Sequence, residues 1–154
     1  MSISVSLPLD SDGFLRRECP SCLRQFKWHH GPANEEAEHH ADPASYTCPF
    51  CGRPAGTGEW FTTDQSEFIQ GAAMPALMQE LDDDLGEMFR GLSSKNFKVS
   101  RTGRLDIPAA PMPLTEPDDM VIIASPCHGY EPVKVPEDEA GPFHCLVCGD
   151  PFAI

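Results

Sequence analysis

The sequence predicts a small α+β protein: two β-hairpin modules near its ends, joined by an amphipathic helical segment and a proline-rich linker. Three observations predict it. Cysteines come in close pairs towards both ends of the chain. Sixteen prolines and twelve glycines in 154 residues interrupt the chain too often for one large apolar core. A single central stretch carries the hydrophobic period of a helix. Composition divides the chain into residues 1–61, 62–92, 93–119 and 120–154.

In the first region, Ile3, Val5 and Leu7 alternate like a strand, and a second strand candidate runs from Phe14 to Arg17. Two cysteine pairs follow: Cys19-Pro-Ser-Cys22 and, twenty-five residues on, Cys48-Pro-Phe-Cys51-Gly52. Each pair forms a tight knuckle whose sulfurs face one point, so two knuckles supply four soft ligands at tetrahedral angles, which suits zinc. Pro49 stiffens its turn, and Gly52 supplies the positive φ needed as the chain turns away. Between the knuckles lie His29, His30, His39 and His40 among acidic residues. They are expected to be solvated, with an accessory metal site as the alternative.

Residues 62–92 read as an amphipathic helix. Ile69, Ala73, Leu77, Leu81, Leu85, Met88 and Leu92 recur every three or four positions, and Asp82, Asp83, Asp84 and Glu87 lie mostly off that stripe, as a solvated face. Thr63 or Asp64 is the expected cap and Gly91 the expected stop. Pro75 predicts two helical pieces broken near residues 71–75. The stripe either packs on the chain's own ribbons or offers Leu77, Leu81, Leu85 and Met88 to a partner.

Residues 93–119 form a linker, basic and then proline-rich. Arg90, Lys95, Lys98, Arg101 and Arg104 stand without an intervening acid, as a loop offsetting the acidic helix or as a docking strip for an acidic partner or a phosphate backbone. Pro108, Pro111, Pro113 and Pro117 favour extended chain thereafter.

The last region returns to strands and cysteines. Residues 131–135 alternate as a strand, and Gly141-Pro142 marks a turn before Phe143. Cys145-Leu-Val-Cys148-Gly149 repeats the ending of the first metal motif, but only Cys127 remains to complete the set. The candidates for the fourth ligand are His128 and His144, with water, another histidine or a partner's ligand as the remaining alternative. His128 is preferred, because it places two ligands on each side of the hairpin.

The region from residue 14 to 61 resembles the zinc-ribbon class on Cys19, Cys22, Cys48, Cys51 and Gly52. That resemblance implies knuckles at the ends of β-hairpins clamping one zinc, and it implies no particular job. Residues 120–154 resemble a second, degenerate ribbon. Two zinc ions are therefore expected, one on Cys19, Cys22, Cys48 and Cys51 and one on Cys127, His128, Cys145 and Cys148. Rubredoxin-like iron is the competitor for the first, but a Cys3His set is ordinary for zinc and atypical for such iron.

The net charge of −13 disfavours general binding to phosphate backbones. No apolar run approaches the roughly 20 residues of a membrane span. The start of the chain lacks a basic leader and an apolar run, and paired, odd-numbered cysteines suit a reducing compartment, so the cytoplasm is expected. Phosphate loops, nucleophile elbows and zinc-protease helices are missing from the sequence. Were water to replace His128, Glu131 is the nearest sequence candidate for a base. The expectation is a non-enzymatic zinc-binding adaptor or regulatory subunit that contacts another protein. The alternatives are a nucleic-acid-binding ribbon using the basic strip, and an accessory or redox subunit of an enzyme.

Overall fold

The computed structural model describes residues 2–154. The chain divides into two compact units, one holding Ser66–Pro113 with the first residues of the chain, the other Leu7–Gln65 with Leu114–Ile154. Both cysteine-bearing ends thus belong to one unit. The two ribbon modules expected in residues 1–61 and 120–154 are joined through strand pairing.

In that unit, β1 (Phe14–Glu18) and β2 (Gln25–His29) form the hairpin that carries the first knuckle, and β3 (Ser45–Thr47) and β4 (Pro54–Gly56) the hairpin that carries the second. A short helix, α1 (Glu35–Glu38), lies between them; the Asn34 side chain caps it by accepting the N–H of Ala37. The C-terminal region repeats the plan with β5 (Val121–Ile123) and β6 (Val133–Val135), then β7 (Phe143–His144) and β8 (Pro151–Phe152). β2 pairs antiparallel with β6, so four strands in the order β1-β2-β6-β5 make one sheet.

The two faces of this sheet differ because strand side chains alternate. Phe26, Val133 and Val135 point to the apolar side and join Trp60, Ile123, Phe143, Leu146 and the buried cysteines in the core. Phe26 meets Trp60 edge to face, with centroids 5.7 Å apart. The opposite face carries a row of cations, since Arg16 pairs with Lys27 and Lys27 with Lys134 across neighbouring strands. Like charges in register are unfavourable. Four acids offset them. The buried Asp10 carboxylate lies 3.2 Å from Lys27 Nζ and 2.8 Å from Lys134 Nζ, while Glu116 and Asp119 reach Arg16 and Lys27, and Asp12 reaches Lys134.

Ile3, Val5 and Leu7 alternate in burial as a strand would, yet no strand among the described residues pairs with them, and they form none. The expected break near residue 75 is also corrected: α2 runs without interruption from Thr63 to Leu92 with Pro75 inside it. The proline ring would collide with the carbonyl four residues earlier, which here belongs to Gly71, and Ala72, Ala73, Ala76 and Leu77 around it are strong helix formers. The cap is Thr62, one residue before the expected Thr63 or Asp64. Its hydroxyl accepts the N–H of Gln65 at 3.0 Å while the Gln65 side chain accepts the N–H of Thr62 at 3.1 Å, a reciprocal capping box.

In the other unit the acidic face of α2 is less solvated than expected. Asp82 is 3% exposed and accepts from the N–H of Leu105 and from the Arg101 guanidinium. These contacts hold its carboxyl below the usual range. Pro111 packs against Gly71, where a Cβ would lie 3.3 Å from the proline ring.

Candidate metal centres

Three of the four knuckles share one backbone pattern. Cys19, Cys48 and Cys145 each donate their N–H to the carbonyl of the residue five positions on, Arg24, Arg53 and Asp150. Their own carbonyls accept the N–H four positions on, from Leu23, Gly52 and Gly149. That fourth position has positive φ in all three: +62° at Leu23, +73° at Gly52 and +81° at Gly149. The turn aims backbone amides at sulfur, with the N–H groups of Ser21 and Cys22 donating to Cys19 Sγ and that of Phe50 to Cys48 Sγ.

The fourth knuckle, Ser125-Pro-Cys127-His128, is built differently. The Ser125 hydroxyl accepts the N–H of His128 and donates to Cys145 Sγ at 3.2 Å, holding the histidine next to the opposite knuckle. Sequence reasoning missed Ser125; a serine two residues before a lone cysteine carries no signal of its own.

Each ribbon gathers its ligands at one point. Cys19, Cys22, Cys48 and Cys51 form one cluster, and Cys127, His128, Cys145 and Cys148 the other, with the ligand atoms of each within 4.8 Å of one another. Sulfurs stand 3.6 Å apart in Cys19–Cys51, 3.8 Å in Cys22–Cys48 and 3.5 Å in Cys127–Cys148, and Cys145 Sγ is 3.4 Å from His128 Nδ1. Tetrahedral zinc with Zn–S bonds of 2.3 Å requires about 3.8 Å between sulfurs, whereas a disulfide requires about 2.05 Å. The donor sets and spacings fit two Zn2+ ions in closed, four-coordinate sites.

The surroundings prepare the sulfurs unevenly. Burial pushes the Cys145 thiol up, but the N–H groups of Cys148 and Val147 and the Ser125 hydroxyl outweigh it and pull the thiol down to about 6. In Cys19 burial likewise acts upward and the amides of Cys22 and Ser21 bring it below its ordinary value. Cys48 is raised, by burial first and by its neighbour Cys19. Four crowded thiols cannot all ionise without a cation among them.

His144, the other candidate for the second site, is not gathered into it. Its ring lies against Gly52, where a Cβ would be 2.9 Å away, and its buried Nδ1 has no hydrogen-bond partner. Gly149 in turn lies against Thr47, at 3.3 Å. Thr47 and His144 each precede the first cysteine of a knuckle, so each knuckle's glycine is packed by the other ribbon. Thr47 N–H donates to the Leu146 carbonyl and His144 N–H to the Pro49 carbonyl, which fastens the two knuckles together.

His29, His30, His39 and His40 do not form a third metal cluster among the described residues. His40 stacks on Tyr130 at 4.0 Å between centroids. On α2, Leu77, Leu81 and Met88 are exposed and Leu85 is half-buried. In the basic strip Arg101 is engaged by Asp82, and Lys95 and Lys98 are exposed. No helix among the described residues is long and apolar enough to cross a membrane. Comparison with protein-family models, curated proteins and solved structures finds no match to the chain. The zinc-ribbon likeness therefore stands on the knuckles and their ligands: this is a small zinc-binding module of two ribbon-like halves.

Proposed function

We propose that the protein is a non-catalytic adaptor or regulatory subunit of the cytoplasm, folded by two structural zinc ions and contacting another protein through α2. The observation that carries this reading is the pair of closed ligand sets. A catalytic zinc keeps a position open for water or substrate, and four protein ligands at tetrahedral spacing occupy every position. His128 Nδ1, 3.4 Å from Cys145 Sγ, supplies the fourth donor of the second set, which supports a closed site over one that keeps a position for water beside Glu131.

The helix supplies the contact surface. Leu77, Leu81 and Met88 present apolar side chains at helical spacing, and a helix face of this kind binds a complementary apolar groove. The charge of −13 and the engagement of Arg101 by Asp82 weigh against phosphate backbones as the partner.

Two measurements test the reading together. Native mass spectrometry of the purified chain is expected to give two zinc ions per chain, and iron or intact disulfides would sink the metal assignment. Capture from the native host with wild type and with Leu81→Asp is then expected to show a protein lost only with the variant, while zinc content stays at two. Equal capture by both would remove α2 as the contact.

A further inference from the structure

A cavity of about 550 Å³ lies in the ribbon unit, lined by none of the cysteines, between the inter-knuckle insertion and the turn that follows Cys127. His40, which lines it, stacks on Tyr130. Trp28 and Tyr46 form an aromatic corner, with centroids 4.7 Å apart and planes tilted by 45°. Glu38, Asp42 and Glu131 also line it, and no lysine or arginine does. Arg17 rests on the Trp28 ring at 5.1 Å but is not part of the lining.

The acids here differ from those on the charged face of the sheet. Asp10, Glu116 and Asp119 are all matched to a lysine or arginine. The carboxylates of Asp42 and Glu131 have neither a hydrogen bond nor an ion pair to any described residue, and Glu131 is half-buried. The Tyr46 hydroxyl is pushed up to about 12 by burial and by the charges of Glu131 and Asp42. A cation from outside would give these two carboxylates the partner that the chain does not supply. Aromatic faces next to carboxylates favour a cation with an apolar body, because the ring quadrupole attracts the charge while the carbon chain loses water.

We propose that this cavity binds an alkylammonium group, with Glu131 and Asp42 holding the charge and Tyr46 and Trp28 covering the carbon chain. A divalent metal ion fits less well, because the histidines and acids here do not converge as a ligand cluster. The same chemistry is carried by the side chain of lysine and by free diamines, and two probes separate these sources.

The test is a titration of zinc-loaded, full-length protein with Nα-acetyl-lysine methylamide and with 1,5-diaminopentane, followed by NMR at the Trp28 indole N–H. Trp60, fully buried and outside the lining, is the internal reference. A saturable shift at Trp28 and not at Trp60 is expected. Affinity should fall about tenfold in Glu131→Gln/Asp42→Asn, two partial ion pairs being lost. The lysine probe alone saturating assigns a polypeptide side chain, and the diamine alone a free amine; either supports the site. Linear shifts with both probes, equal shifts with 1-pentanol, or unchanged affinity in the double variant would overturn it. Because Glu131 lies near the second ribbon's ligands, Glu38→Gln is measured alongside as a milder loss of charge, with zinc content checked in both. The outcome is independent of whether α2 binds a protein.

Discussion

At the scale of single residues, the fourth position after the first cysteine decides how comfortably a knuckle turns. Gly52 and Gly149 take positive φ without penalty, but Leu23 takes it with a side chain that is 66% exposed and packs on little. A left-handed conformation costs a non-glycine residue roughly 1–2 kcal/mol, part of which glycine returns as chain entropy in the unfolded state. Leu23→Gly should therefore stabilise the zinc-loaded protein by about 0.5–1 kcal/mol. Gly52→Ala should destabilise it by about 2 kcal/mol, since the new Cβ must also displace His144. Denaturation at fixed free zinc measures both, and a neutral or destabilising Leu23→Gly would show that the turn carries no strain. The same scale explains what could be read in advance. Cysteine pairs announce themselves by spacing, and Gly52 and Gly149 by their place after a knuckle. Ser125 and the positive φ of Leu23 do not, because both depend on backbone geometry that those residue types rarely signal.

At the scale of elements, β2 and β6 meet over a row of charges. Legibility was uneven here for a physical reason. Strand alternation pointed to β1 and β6, and period pointed to α2, because both are local properties of the chain. Pairing of β2 with β6 brings Lys27 against Lys134 from 107 positions away, and no local pattern encodes that. Nor does composition show that Asp10 neutralises both, or that Asp82, one of three consecutive acids, is the one that turns inward to Arg101 and Leu105. Burial acts upward on the Asp10 carboxyl, but hydrogen bonds from Lys134, the Phe14 N–H and Lys27 outweigh it and hold the group far below its ordinary value of 3.8. A group whose folded value is depressed stabilises the fold above its unfolded value and loses that contribution as pH falls. Asp10→Asn leaves two buried ammonium groups short of a counter-charge, which should cost about 3 kcal/mol. The gap between wild type and variant should stay level from pH 8 to pH 5, and begin to close only below about pH 4. A gap that changed within the neutral range would assign the effect to another group.

At the scale of the whole molecule, the question is whether two zinc sites make two folding units or one. A tandem of independent ribbons would bury little between its halves. Here the halves share a sheet through β2 and β6, a core in which Phe26 and Trp60 pack with Phe143 and Leu146, and two backbone hydrogen bonds from knuckle to knuckle. The reciprocal packing of Gly52 on His144 and Gly149 on Thr47 makes each knuckle's shape depend on its neighbour's. Zinc binding supplies roughly 10–16 kcal/mol in small domains, comparable to the whole stability of most folds, so losing one ion should leave too little to hold the shared core. Cys148→Ser tests this without touching the first set, because Cys148 is exposed and belongs to the second. The variant should lose zinc from the first ribbon to a chelator at least tenfold faster than wild type does, and wild type itself should release both ions in one kinetic phase together with its near-ultraviolet circular dichroism. Two separate phases, with the first ribbon's zinc held equally well in the variant, would show that the ribbons fold apart and that their common sheet contributes little.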